Sequence, residues 1–184
     1  SLASIGQIRI MSLYHEIFAK FNLSVGQVLM SKDDIKSENR KLNIKNTIET
    51  MINDFNTIPI INENDTINFD EIKFGDNDTL SAHLSGIVSA DLLIILSDIE
   101  GLYDSNPKIN QKAKFIFNVD KINNNIIKMA GDSISKTGTG GMITKIQAAK
   151  ICIKSKCQMI LKKGTDQNPL KTNTEIFTLF SKKN

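Results

Sequence analysis

The run Leu92-Leu93-Ile94-Ile95-Leu96, fenced by Asp91 and by Ser97-Asp98, constrains the fold more than any other segment. It falls far short of the roughly 18 apolar residues a membrane helix needs, so Asp91–Leu96 reads as a strand. A strand that is apolar at every position, without the alternation of a half-solvated sheet, is one covered on both faces by helices. Helices are available. Leu2–Phe21 places Ile5, Ile8, Leu13, Ile17 and Phe21 at helical spacing, and helices are also predicted over Ile35–Phe55, Asp78–Ser89, Ile122–Met129 and Met142–Ile153. Asp76, Asn77 or Asp78 would cap the third of these. Strands are expected at Val25–Met30, Thr57–Ile61, Phe115–Phe117, Gln158–Leu161 and Glu175–Phe180, with Glu71–Phe74 as an edge arm. Strands and helices alternate, which argues an α/β layered fold with a mainly parallel sheet. Such sheets bind ligands beyond the carboxyl ends of their strands, and the polar loops after Ile61 and Leu96 lie at such ends.

Composition narrows the function classes. At 184 residues the chain suits one domain. Lys+Arg 23 against Asp+Glu 20 leaves a net charge of +3, with lysine densest near the end. Ile, Asn and Lys together make up 69 of the 184 residues, a bias that A/T-rich codons produce without any binding surface. With no Trp and 6% aromatic residues, the stacking partners of a nucleic-acid interface are missing, so no nucleic acid is expected. No signal peptide or membrane span is legible, so no membrane is expected either. Cys152 and Cys157 form a C-x4-C pair with no His nearby, a poor zinc site, and read as free or buried thiols of a reducing, cytoplasmic compartment. His15 and His83 have no partner at ligand spacing and read as structural or surface residues, so no protein-held metal is expected.

Three segments carry chemistry. Asn62-Glu63-Asn64-Asp65, then Lys73-Phe74-Gly75-Asp76-Asn77-Asp78, offers many lone pairs and N–H groups to a small polar ligand, although Asx residues also build ordinary turns. Ser97-Asp98-Ile99-Glu100-Gly101 follows the apolar strand; its hydroxyl and carboxylate could meet a nucleotide, or Asp98 could cap a turn in which Gly101 supplies a positive φ. Gly138-Thr139-Gly140-Gly141 runs into a helix, where backbone can approach phosphate closely and Lys145 lies one turn in. It is neither a Walker A loop nor a dinucleotide fingerprint.

In this order the segments resemble the glutamate 5-kinases of the amino acid kinase family. Asn62-Glu63-Asn64-Asp65 and Lys73-x-Gly75-Asp76-Asn77-Asp78, with Leu80-Ser81-Ala82, resemble its glutamate loops. Ser97-Asp98-x-x-Gly101-Leu102-Tyr103 with Asn106-Pro107, and Gly138-Thr139-Gly140-Gly141-Met142-x-Thr144-Lys145, resemble its nucleotide segments. The resemblance implies a three-layer α/β/α sandwich and transfer of the ATP γ-phosphoryl group to the side-chain carboxylate of L-glutamate, the first step of proline biosynthesis. It implies that Asp65 and Asn77 bind glutamate, and that Ser97, Asp98, Thr139, Gly140, Gly141, Met142, Ile143, Thr144 and Lys145 contact ATP. Lys145 would neutralise charge on the transferred group, Asp78 would orient the active-site lysines, and Mg2+ would bridge the phosphates. A homo-oligomer is expected. Ser97 stands where the family usually has Thr and keeps the hydroxyl. Residues 1–184 are expected to be a partial kinase domain, without the family's first strand and phosphate turn and without its RNA-binding-like C-terminal module. An inactive ligand-binding remnant, or a kinase of another carboxylate substrate, stays open as an alternative.

Overall fold

The computed structural model describes residues 2–65, 76–131, 141–165, 168–170 and 176–181, with side chains from Ile5 onward. The expected arm at Glu71–Phe74 and the loop residues Lys73, Gly75, Gly138, Thr139 and Gly140 lie outside the described residues. The chain forms two compact units, Ser1–Asn77 and Asp78–Asn184.

In the first unit, α1 (Leu2–Ala19) leads to β1 (Ser24–Met30), then α2 (Lys32–Lys36), α3 (Glu38–Asn53) and β2 (Thr57–Glu63). β1 and β2 pair in parallel from Ser24↔Thr57 to Met30↔Glu63, with the helices as the crossover that parallel strands require. The single helix expected over Ile35–Phe55 is two. Ser37 has extended backbone and its Oγ accepts from the Arg40 N–H at 3.4 Å, so it starts α3 instead of continuing α2. Asp34 holds the start of α2 by accepting from the Ser31 N–H at 2.6 Å and Oγ at 2.8 Å.

The second unit runs α4 (Asn77–Ile87, from Asp78 on), β3 (Leu92–Ser97), β4 (Leu102–Tyr103), β5 (Phe115–Ile116) and β6 (Asn118–Val119). It continues with α5 (Asn124–Gly131), α6 (Met142–Lys154), β7 (Gln158–Lys163) and β8 (Phe177–Phe180). Its main sheet has the order β3-β7-β8-β6. β3–β7 and β6–β8 are parallel, while β7–β8 is antiparallel, so the sheet is mixed. Phe115–Phe117 is not one strand: β5 pairs with β4, and β6 joins the main sheet. β3 is not sealed on both faces among the described residues, since Leu92 and Leu96 are exposed; Ile95 carries its burial. The core gathers Ile95, Leu102, Val119, Ile146, Ala149, Cys152, Met159, Leu161 and Phe180.

Helices hand over to strands through a repeated device. Asn22, Ser89 and Lys156 have positive φ after α1, α4 and α6. The next residue in each case bonds back five positions: Leu23 to Phe18, Ala90 to Ser85 and Cys157 to Cys152. This is the Schellman closure, which satisfies helix-end carbonyls and turns the chain sharply into a strand. Among the described residues no helix is long and apolar enough to cross a membrane.

Candidate active site

Two helix starts in the second unit supply the charged centre. α6 opens at Gly141, whose backbone is extended, and the first turn of a helix carries N–H groups with no intrahelical acceptor. Thr144 stiffens this turn: its N–H reaches the Gly141 carbonyl at 3.1 Å, and its Oγ1 lies 2.7 Å from the same oxygen. One turn in, Lys145 is 7% exposed, held by a helix whose other buried residues include Ile146, Ala148 and Ala149. A buried ammonium needs an anionic partner. Asp78, in the acidic first turn of α4, provides it: Oδ2 accepts from Lys145 Nζ at 3.0 Å, with Thr144 Oγ1 3.2 Å from the same oxygen.

Beside this pair lies a cleft of about 350 Å³ whose walls include Asp98, Glu100, Tyr103, Gly141, Lys145 and Lys163. It sits at the carboxyl ends of β3 and β7, where such sheets bind ligands. Ser97 Oγ donates to Asp98 Oδ1 at 3.1 Å and steadies the carboxylate. Tyr103 O–H donates to Glu100 Oε2 at 2.6 Å. That bond, with burial and the Glu100 charge, pushes the phenol up to about 12. The Tyr103 ring rests edge-on against Phe115 at 5.1 Å. Gly101 keeps this wall thin for a reason the sequence did not supply: its backbone is not in the left-handed region, but a Cβ there would stand 2.6 Å from Thr178 Oγ1 and 2.7 Å from Phe115 Cζ. Thr178 is fully buried, accepts from the Leu102 N–H at 2.8 Å and donates to the Ile116 carbonyl at 2.6 Å.

The structure thus brings Asp78, Thr144 and Lys145 into one cluster, and Asp98, Gly141, Met142 and Lys145 into one cleft. Ile143 is exposed, and neither it nor Ser97 is among the residues lining the cleft. Thr139 and Gly140 lie outside the described residues. Asn77 is the first residue of α4. Asp65 is exposed just beyond β2 in the first unit, its N–H bonded to the Glu63 carbonyl at 3.1 Å. Sequence reading passed over Lys163; its position at the end of an apolar strand run, next to Gly164, was the available signal.

Among the described residues no three His, Cys, Asp or Glu side chains cluster as a metal cage. Magnesium asks for less, since it binds through one or two carboxylates together with substrate phosphates and water. Asp98 in the cleft wall meets that requirement. His15 is exposed on α1, and Cys152 and Cys157 are buried free thiols, as expected. Burial beside Cys157 pushes the Cys152 thiol up to about 12.

The pattern of the amino acid kinase family matches residues 1–163. The chain is 47% identical over 175 residues to a glutamate 5-kinase of Pelagibacter ubique, covering 95% of this chain and 47% of that protein. It is 45% identical over 169 residues to one of Clostridium acetobutylicum, covering 92% and 63% respectively. The chain spans about half the length of the curated relatives it matches. Among solved structures, UMP kinase from Ureaplasma parvum superposes with a TM-score of 0.59 at 16% identity, covering 96% of this chain and 67% of that one. An isopentenyl phosphate kinase from T. acidophilum gives 0.56 at 15% identity, covering 89% and 62%. These likenesses show the fold, a mixed α/β architecture with parallel strand pairs.

Proposed function

Because this chain belongs to the amino acid kinase family, we propose that the protein carrying it moves the ATP γ-phosphoryl group to the side-chain carboxylate of L-glutamate. The product is L-glutamyl 5-phosphate, and the reaction is the first step of proline biosynthesis. One observation carries this reading: the buried Lys145, paired with Asp78, stands in the wall of a cleft that also holds the start of α6. The identity of 45–47% to proteins named glutamate 5-kinase supports the choice of substrate.

The chemistry asks little covalent work of the protein. A glutamate carboxylate oxygen attacks the γ-phosphorus, the bond to the β,γ-bridging oxygen breaks, and that electron pair leaves with ADP. The nucleophile is already ionised, so no general base is needed. Positioning and charge neutralisation remain, and in phosphoryl transfer they are nearly the whole of catalysis. The open N–H groups at Gly141–Met142 would receive phosphate oxygens, and Lys145 would meet the charge of the transferred group. Asp78 keeps the Lys145 ammonium aimed, and Thr144 braces Asp78. Ser97 orients Asp98, which would hold a magnesium ion together with the phosphates. That ion would supply further neutralisation of the phosphate charge. Asp65 would take the glutamate ammonium, and Asn77 would donate to a carboxylate. Thr139, Gly140, Ile143 and the backbone around them complete the proposed ATP contacts. A cytoplasmic homo-oligomer is the proposed setting.

The experiment is acyl phosphate formation trapped with hydroxylamine. The protein carrying this sequence should yield hydroxamate only with both ATP and L-glutamate present. Absence of product with glutamate, or equal product with aspartate, would refute the substrate assignment.

A further inference from the structure

Lys163 ends β7 in the wall of the cleft, in register with Ser97 at the end of β3. The Gly164 N–H closes the pairing on the Ser97 carbonyl at 2.8 Å, so both strands stop at the same level. Residues paired across strands present their side chains on the same face of a sheet. Lys163 therefore shares a face of the sheet with Ser97, and it lines the cleft together with Asp98, the residue that follows β3. Its neighbour Lys162, which the period of two along a strand places on the opposite face, is fully buried.

The charges of the cleft are unevenly committed. Lys145 is tied to Asp78, and Glu100 accepts from Tyr103. Lys163 makes no ion pair or side-chain hydrogen bond among the described residues, although it is half-buried. A partly desolvated ammonium gains nothing from that position until an anion arrives. We infer that Lys163 is a second phosphate-binding cation of this cleft, contacting the phosphate chain of the nucleotide while Lys145 serves the transferred group. This inference rests on the nucleotide-kinase reading above.

The test is calorimetric titration of ADP and of adenosine into wild type, Lys163→Met, Lys163→Arg and Lys154→Met. Lys154 is exposed at the far end of α6, about 14 Å along the axis from Lys145, and controls for net charge. Lys163→Met should weaken ADP about tenfold and leave adenosine unchanged, the scale of one charge-assisted hydrogen bond. Lys163→Arg should stay within about threefold of wild type, and Lys154→Met should match it. In hydroxamate assays the KM for ATP should rise in Lys163→Met while the KM for glutamate stays put. Unchanged ADP binding in Lys163→Met overturns the inference, as does equal loss for ADP and adenosine, which would make Lys163 a packing residue. A wild-type protein that binds ADP but makes no glutamyl phosphate sinks the substrate assignment and leaves this inference standing. A wild-type protein that binds no ADP sinks both.

Discussion

Lys36 Nζ and Asp33 Oδ1 lie 3.0 Å apart within α2, and Lys145 Nζ and Asp78 Oδ2 lie 3.0 Å apart between α6 and α4. The side chains of the first pair are 72% and 57% exposed, those of the second 9% and 20%. At equal length, water makes the difference. The α2 pair is screened by solvent and salt and is worth little. The other has surrendered hydration, so each partner depends on the other, and the charges stay aimed whether or not a ligand is present. Sequence separation tells the same story: an i,i+3 pair forms wherever its helix forms, but a pair 67 residues apart exists only once the second unit has folded.

The comparison can be broken most sharply at Lys145. Lys145→Met should lower kcat by about 100- to 1000-fold, the scale of about 2.7–4 kcal/mol for a lost donor to developing charge. Its glutamate dissociation constant should move much less. Steady-state kinetics and calorimetry check both, and near-normal turnover would remove Lys145 from the mechanism. Next in size is Asp78→Ala, which leaves the Lys145 ammonium buried without its carboxylate. It should cost about 3 kcal/mol in urea denaturation, while Asp33→Ala stays within about 0.5 kcal/mol. Equal small losses would mean that water reaches Lys145 freely.

Burial makes a third, pH-dependent contrast. The Cys152 thiol is pushed up to about 12 from 9.0, so at alkaline pH the folded state holds a proton that the unfolded state has lost. Its contribution to stability is complete below pH 9 and disappears as pH rises toward 12. Stability of Cys152→Ala should fall less steeply over that window; parallel curves would argue against the burial effect. The smallest expectation concerns the exposed pair. A double-mutant cycle on Lys36 and Asp33 should give a coupling below about 0.5 kcal/mol that vanishes in 1 M salt. A coupling as large as that of Lys145 and Asp78 would erase the distinction.

Much of this was legible in the chain. Helix and strand order followed from periodicity, and from apolar runs such as Leu92–Leu96 and Met159–Leu161 that are of strand length. Lys145 was legible from its place one turn into the helix after a Gly-rich run, but its link to Asp78 emerged from resemblance alone, since nothing in spacing joins residues so far apart. The errors have local causes. Ser37 carries no apolar signal, so the break between α2 and α3 was invisible until its cap formed. Gly101 was read for torsional freedom when its neighbours across the sheet demand space. Phe115–Phe117 reads as one strand, yet β5 ends at Ile116 and the chain beyond Phe117 enters a different sheet as β6, by a pairing that sequence does not encode locally. Lys163 vanished into a general excess of lysine because sequence could not say which lysines face a cleft.

Chemical rescue at position 145 tests most directly whether a positioned ammonium there drives the reaction. Lys145→Cys would be alkylated with bromoethylamine, which restores a cationic side chain of nearly lysine length. The buried Cys152 and Cys157, both pushed above the ordinary thiol range, should stay unmodified, which mass spectrometry verifies. The unalkylated variant should form glutamyl phosphate about 100-fold or more below wild type, and alkylation should recover most of that loss. Full activity before alkylation, or none regained after stoichiometric modification of a folded protein, would contradict the role assigned to Lys145.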